Sequence, residues 1–117
     1  MQSHMVRGGG GVQLHVAETG VATGRPILFI HGFSQSHLTW RLQMASDLGE
    51  SYRLLAMDLR GHGLSEQPAS GYADPRLWAA DVAGVIAQLH LEKPVLVGWS
   101  YGGFIIGDYL EEFGEGS

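Results

Sequence analysis

Hydrophobic residues are grouped along this chain into short blocks of the kind that form strands. Three blocks are almost continuously apolar: Pro26–Ile30, Arg53–Met57 and Val95–Val97. Such runs are typical of parallel strands that helices cover on both faces. The earlier segment Val12–Glu18 alternates apolar and polar side chains. This period of two predicts a strand at or near the edge of the sheet, with one face in water.

Apolar residues with helical spacing lie between these strands. Trp40, Met44 and Leu48 recur at every fourth position and predict a first helix. A second helix is predicted from the stripe Trp78, Val82, Val85, Ile86 and Leu89. Asp74 is suited to cap this second helix, and Pro75 to occupy its first position. Strands that alternate with helices predict an α/β fold, in which right-handed crossovers connect a mostly parallel sheet.

Three loops with candidate chemistry directly follow the apolar strands. They are His31–Phe33, Asp58–Ser65 and Gly98–Gly103. Ligands of open α/β sheets bind at the carboxyl ends of the strands. We therefore expect the three loops to meet at one rim of the sheet.

The last of these loops has the pattern of a nucleophile elbow, a sharp turn between a strand and a helix. It reads Gly98-Trp99-Ser100-Tyr101-Gly102-Gly103. The serine occupies a strained turn, and a small residue two positions away on either side lets strand and helix approach. Gly98 and Gly102 fill those two positions. The turn exposes the Ser100 hydroxyl and directs the first free N–H groups of the helix toward the same point.

Composition excludes several classes of function. The 117 residues suffice for one small domain, and a net charge of -5 without a basic cluster argues against nucleic acid. The chain has no cysteine, so disulfide and thiol chemistry are excluded. No signal peptide or membrane-length apolar run is visible, and we expect a soluble, cytoplasmic protein without membrane contact.

Two N-terminal segments are atypical. Met1-Gln2-Ser3-His4-Met5 has the look of an expression-tag remnant, so we leave residues 1–5 out of the predicted fold. The glycine tract Gly8–Gly11 lacks the Gly-Lys-Ser/Thr ending of a phosphate loop. It predicts a flexible turn before the first strand.

The three loop motifs, in this order and spacing, resemble the α/β-hydrolase superfamily over residues 12–113. The run from His31-Gly32-Phe33 to Trp40 and the long loop from Leu64 to Tyr72 are most similar to the esterase and cofactor-free haloperoxidase branch. The resemblance implies an α/β-hydrolase-type sheet with helices on both faces. It also implies chemistry without a cofactor or a metal.

The same resemblance assigns roles to individual residues. It implies that Ser100 is the nucleophile and that the backbone N–H groups of Phe33 and Tyr101 form the oxyanion hole. One such donor is worth about 2.7–4 kcal/mol of transition-state stabilisation. The supporting positions implied are His31, Gly32, Gly98 and Gly102.

Only part of the implied catalytic triad is in this chain. Members of the resembled superfamily carry serine, acid and histidine in that order, yet no histidine follows Ser100. Asp108 lies about 12 Å along the helix from Ser100, and Glu111 and Glu112 lie further, so none of them can complete a triad. Residues 6–117 are thus predicted to be the N-terminal half of a hydrolase domain, truncated after the nucleophile helix.

Other polar residues of the rim have alternative interpretations. His31 is interpreted as a residue that holds the oxyanion loop by hydrogen bonds, and general base catalysis is the less favoured role. Asp58 and His62 suggest a metal pair only if they lie on a helix, so a structural tie between Asp58 and Arg60 is favoured. The tryptophans are predicted to pack in the core or at the rim: Trp40, Trp78 and Trp99.

Two functions from different classes follow from these observations. The first is a serine hydrolase that cleaves small-molecule esters, with perhydrolase activity as a side reaction. A serine at the elbow argues against dehalogenases and epoxide hydrolases, which use aspartate there, but leaves C–C hydrolase, lactonase and hydroxynitrile lyase open. The second is a non-catalytic, truncated or engineered half-domain used for binding, assembly or folding. In either case we expect a C-terminal half or a second copy to complete the sheet.

Overall fold

A computed structural model describes residues 1–114 of the chain and contains one five-stranded sheet. The strands are β1 (Gln2–Arg7), β2 (Gln13–Gly20), β3 (Arg25–Ile30), β4 (Tyr52–Met57) and β5 (Val95–Gly98). The helices are α1 (Arg41–Met44), α2 (Pro75–Gln88) and α3 (Tyr101–Phe113). None of the helices within residues 1–114 is both long enough and apolar enough to cross a membrane.

The sheet has the strand order β1-β2-β4-β3-β5. β3 pairs in parallel with both β4 and β5, whereas β2 pairs antiparallel with β1 and β4. The three apolar blocks of the sequence are therefore the three parallel strands, as predicted. Because their carboxyl ends point the same way, the loops that follow them leave the sheet at one rim.

The prediction that one face of β2 is exposed to water is wrong. Leu14 and Val16 are buried in a core cluster with residues of α2 and α3, and Ala17 is buried in a second cluster with Trp40 and Met44. His15, also predicted to face water, is only 4% exposed. The segment around α1 covers the second face of the sheet, which the alternating pattern could not reveal.

Leaving residues 1–5 out of the fold was also wrong. Gln2 to Arg7 form β1, which pairs along its whole length with β2, from Gln2 opposite Glu18 to Arg7 opposite Gln13. A short 3-10 turn over Gly9–Gly11 connects the two strands.

The first predicted helix is broken into three short pieces. Residues His37–Trp40 and Asp47–Glu50 form 3-10 turns on either side of the four-residue α1. Ser46 ends the helical run, because its Oγ donates to the carbonyl oxygen of Gln43 at 2.6 Å and accepts from the N–H of Leu48 at 3.3 Å. A serine that binds the backbone in this way favours a turn over a continuous helix.

The second predicted helix is confirmed as α2. Asp74 caps it by accepting a hydrogen bond from the N–H of Arg76 at 2.9 Å, and Pro75 is its first residue. Its apolar stripe packs with α3 onto one face of the sheet, where Trp78 is 1% exposed. Trp78 donates its indole N–H to the carbonyl oxygen of Tyr72 at 2.8 Å.

β5 lies at an edge of the sheet, and within residues 1–114 it pairs only with β3. Its edge is apolar and contains neither lysine nor proline, the residues that discourage association of exposed edges. Beside it, α3 leaves the ring of Phe104 72% exposed. An open apolar edge next to an open apolar side chain favours pairing with another segment.

We expect this 117-residue chain to self-associate through the β5 edge, or to take up a complementary C-terminal segment. Size exclusion with light scattering checks the expectation at several protein concentrations. A stable species of 12.6 kDa with cooperative unfolding would contradict it. Val97→Lys is expected to weaken association, because an inserted charge disfavours edge pairing.

Candidate active site

The three loops predicted to share a rim do lie side by side. A Cβ atom built on Gly32 would be 3.1 Å from the Cβ of Ser100, so the first and third loops touch. The ring of Phe33 stacks on the ring of Tyr101 with centroids 4.1 Å apart. The second loop joins them through His62, whose ring centroid is 5.9 Å from that of Phe33.

Ser100 occupies a sharp turn between β5 and α3. Its backbone angles are φ 56° and ψ -118°, a left-handed conformation that residues other than glycine rarely adopt. The residue is exposed, and its hydroxyl makes no cap hydrogen bond to α3. Strain of this kind is held in place by surrounding structure and is concentrated at functional sites.

Two glycines permit this turn, in the positions that the sequence predicted. A Cβ on Gly98 would lie 2.7 Å from the backbone of Gly102 and Gly103. A Cβ on Gly102 would overlap the carbonyl oxygen of Ile30, which already accepts a hydrogen bond from the N–H of Trp99 at 3.0 Å. Both contacts are with backbone, which cannot move aside without shifting a strand or the helix.

Gly102→Ala is therefore expected to destabilise the fold by ~1–3 kcal/mol, the usual cost of overpacking. Gly103→Ala is the matched control, since a Cβ on Gly103 meets nothing within 4 Å. That control is expected to stabilise the helix by ~0.5–1 kcal/mol, because alanine replaces glycine in a helix. Urea unfolding of both variants at one protein concentration measures the difference. Equal midpoints would contradict the tight contact at Gly102.

Two backbone N–H groups of the rim have no hydrogen-bond partner among the residues that the structure describes, one beside Gly32 and one beside Ser100. Within residues 1–114, no hydrogen bond from the N–H of Phe33 or of Tyr101 is formed. The N–H of Gly32 is instead held by Oε1 of Gln35 at 2.8 Å. Gln35 was missed by the sequence analysis, since only the fold shows that its side chain turns back onto the loop.

Both ring nitrogens of His31 form hydrogen bonds within the rim. It is fully buried, and its Nε2 accepts a hydrogen bond from the N–H of Leu59 at 3.0 Å. Nδ1 therefore carries the proton, which it donates to the carbonyl oxygen of Gly32 at 2.6 Å. Burial lowers the pKa of His31, so the ring is neutral, and neither nitrogen has a lone pair free for base catalysis.

His62 lies on the rim with one nitrogen uncommitted. Its Nδ1 is 2.9 Å from the carbonyl oxygen of Arg60, which can only accept, so Nδ1 donates. Within the described part of the chain, no hydrogen bond involves Nε2 of His62. Among the histidines of the three loops, His62 is the one whose Nε2 has no hydrogen-bond partner within residues 1–114.

The predicted tie between Asp58 and Arg60 is wrong. Arg60 turns to α2 instead, where it forms two 2.7 Å hydrogen bonds to the buried carboxylate of Asp81. These hydrogen bonds to Asp81 raise the pKa of Arg60. Both residues are at least 98% buried. Neither the residue types nor their separation in the sequence identifies them as partners.

Asp58 is held by other donors. Its carboxylate accepts from the backbone N–H groups of His37 at 2.6 Å and Leu64 at 3.0 Å, and from the imidazoles of His15 and His37 at 2.9 Å. Burial works against ionisation of this carboxyl group, but these hydrogen bonds prevail and lower its pKa. The sequence analysis did not identify His15 and His37 as partners of Asp58, because they come from distant parts of the sequence.

The remaining predictions for the rim concern aromatic and acidic residues. Trp40 is 9% exposed and packs on Phe29, as expected, but Trp99 is 59% exposed. The acids of α3 line a pocket beside the start of α2, away from the elbow. These are Asp108, Glu111 and Glu112.

Comparison with known proteins finds a matching family and several similar proteins. The model of the alpha/beta hydrolase family matches residues 27–113. A non-heme haloperoxidase of Rhodococcus erythropolis is 42% identical over 80% of this chain and 34% of its own length. An epoxide hydrolase of Caballeronia sordidicola is 39% identical over 79% of this chain and 28% of its own length.

A solved structure agrees in fold as well as in sequence. The crystal structure of an esterase from Rhodococcus sp. ECU1013 has a TM-score of 0.92 and 43% identity, over 99% of this chain and 42% of that chain. The chain thus spans less than half the length of each of these relatives. The resemblance inferred from the three loop motifs is confirmed, as is the α/β fold. The chain belongs to the alpha/beta hydrolase family.

Proposed function

We propose that this chain carries the nucleophile and oxyanion-binding part of a serine hydrolase that cleaves small-molecule esters. The observation that carries the proposal is the strained, exposed Ser100 next to two N–H groups, of Phe33 and Tyr101, that have no partner among the described residues. A nucleophile beside unpaired backbone donors is what acyl transfer requires.

In the proposed reaction, Oγ of Ser100 attacks the carbonyl carbon of the ester, and its proton passes to a general base. The carbonyl oxygen becomes an oxyanion, which the N–H groups of Phe33 and Tyr101 stabilise. The bond to the alcohol oxygen then breaks, the alcohol leaves with the proton, and an acyl-enzyme remains on Ser100. Water hydrolyses the acyl-enzyme and regenerates the serine.

The general base of this reaction is proposed to come from outside the chain. His31 has no free lone pair, and His62 is the alternative on the rim. No histidine follows Ser100 in the sequence. The relatives are two to four times longer than the segment they share with this chain, which leaves room for a late acid and histidine.

The surroundings of Ser100 favour an ester with an apolar acyl group. Exposed apolar side chains flank the serine, and they include Phe33, Trp99 and Phe104. The names of the relatives cover esterase, haloperoxidase and epoxide hydrolase activities. A serine at the elbow favours the first of these, because a serine forms an acyl-enzyme with an ester, whereas the epoxide branch uses aspartate.

Hydrolysis of 4-nitrophenyl acetate and of styrene oxide by the full-length protein containing this chain tests the proposal. We expect ester hydrolysis with a burst of 4-nitrophenol, the sign of an accumulating acyl-enzyme. Epoxide opening without ester hydrolysis would overturn the proposal. Turnover of neither substrate would favour the alternative function, a non-catalytic half-domain for binding, assembly or folding.

A further inference from the structure

A second group of chemically capable side chains lies on the same rim, apart from Ser100. It consists of His15 on β2, His37 at the start of a 3-10 turn, and Asp58 directly after β4. One ligand atom from each residue lies within 4.8 Å of the others. β4 is two strands from β5, which places this cluster about 10 Å from the elbow.

We infer that His15, His37 and Asp58 form a binding site for a divalent transition metal, with Zn²⁺ as the best fit. Two imidazole nitrogens and a carboxylate are a common donor set for this ion. The Nδ1 atoms of both histidines lie 2.9 Å from Oδ2 of Asp58. Ligand atoms of a tetrahedral zinc ion are about 3.3 Å apart, so these two nitrogen-to-oxygen separations need to change by only a few tenths of an ångström. The other separations within the cluster are at most 4.8 Å.

The charge of the cluster favours a cation. Asp58 is completely buried, and its carboxylate accepts hydrogen bonds from two backbone N–H groups as well as from the two imidazoles. Within residues 1–114 no lysine or arginine pairs with it, since Arg60 is engaged by Asp81. Buried carboxylates are ordinarily paired with a cation or bound to a metal. A divalent ion between the imidazoles and the carboxylate supplies the missing charge.

Neighbouring hydroxyl groups hold the ligands in the orientation that a metal needs. Oγ of Ser3 lies 3.1 Å from Nε2 of His15. When the ion replaces the Nδ1 proton that is otherwise donated to Asp58, Nε2–H donates to this oxygen and holds the ring in place. Oγ of Ser65 accepts from the backbone N–H of His15 at 2.8 Å and donates to the carbonyl oxygen of Asp58 at 2.6 Å. Such second partners fix the ligand geometry of metal sites.

The cluster has a route to solvent. The side chain of His37 is 14% exposed, whereas those of His15 and Asp58 are 5% and 0% exposed. His37 also lines a pocket of about 200 Å³, together with Ala17, Leu38 and Met44. The ion reaches the cluster on the side of His37, and a water molecule completes a four-coordinate site. Its ligands join β2 to the loops around it, so the ion stabilises the fold.

Zinc titration of the 117-residue chain by calorimetry, with thermal unfolding at fixed protein concentration, tests the inference. We expect one zinc ion per chain and an unfolding midpoint that rises with zinc concentration, because a ligand of the native state stabilises it. His37→Gln is expected to weaken zinc binding at least ~10-fold. His90→Asn is the matched control, since His90 is exposed and asparagine tolerates its positive φ of 55°.

Two further variants keep the result interpretable. His4→Gln removes the histidine that contacts Glu18, a separate imidazole and carboxylate pair, and is expected to leave zinc binding unchanged. Ser3→Ala keeps all three ligands and is expected to weaken binding by ~10-fold through loss of orientation. No zinc binding, or binding that His37→Gln does not affect while circular dichroism shows a folded chain, would overturn the inference. A midpoint that depends on pH but not on zinc would do the same.

Discussion

Ser100 in the isolated 117-residue chain is expected to resist a fluorophosphonate that modifies it rapidly once a histidine-bearing C-terminal segment is present. The reason is that a serine hydroxyl is a weak nucleophile until a neighbouring base removes its proton. His31 cannot do so, because it donates from Nδ1 and accepts at Nε2. Mass spectrometry of the chain, alone and with the complementary segment of an esterase relative, measures the labelled fraction.

The controls identify the modified residue. Ser100→Ala is expected to abolish labelling and to lower ester turnover of the full-length protein by ~10⁶-fold, as loss of a hydrolase nucleophile does. Ser70→Ala, at an exposed serine of the long loop, is expected to change neither. Strong labelling of the isolated chain would contradict the prediction. Its loss in His62→Ala would then identify the free Nε2 of His62 as the base.

Gly32→Val is expected to lower kcat of the full-length protein by ~10²–10³-fold, the effect of losing one oxyanion donor. A Cβ at this position would lie 3.1 Å from the Cβ of Ser100 and 3.2 Å from the carbonyl oxygen of Trp99. The two γ-carbons of valine need still more room, so the loop must shift and carry the N–H of Phe33 away from the oxyanion.

Steady-state kinetics together with a melting curve separates lost catalysis from lost folding. The melting midpoint is expected to fall only slightly, because the loop is at the rim and Gly32 has no positive φ that excludes a side chain. Gly107→Val is a control in the neighbouring helix, where a Cβ meets nothing within 4 Å. Unchanged turnover of Gly32→Val would mean that the oxyanion donors lie elsewhere.

Local signals in the sequence were enough for the parallel strands, for α2 and for the shape of the elbow. The apolar blocks predicted β3, β4 and β5, since a strand covered on both faces must be apolar on both. Asp74 and Pro75 marked the start of α2, because capping and a fixed φ are properties of single residues. Gly98 and Gly102 predicted a tight turn at Ser100, and the structure places backbone where their Cβ atoms would be.

What the sequence left undecided depends on contacts between distant segments. Alternation predicted that one side of β2 faces water, but the segment around α1 covers that side. His15 is therefore buried, and it binds Asp58 across 43 positions of sequence. The partner of Arg60 was likewise mispredicted. Arg60 forms its ion pair with Asp81 in α2 and not with Asp58, which is closer in sequence. Charge and spacing specify which groups need a partner, whereas only the packing of helices on the sheet decides which partner is within reach.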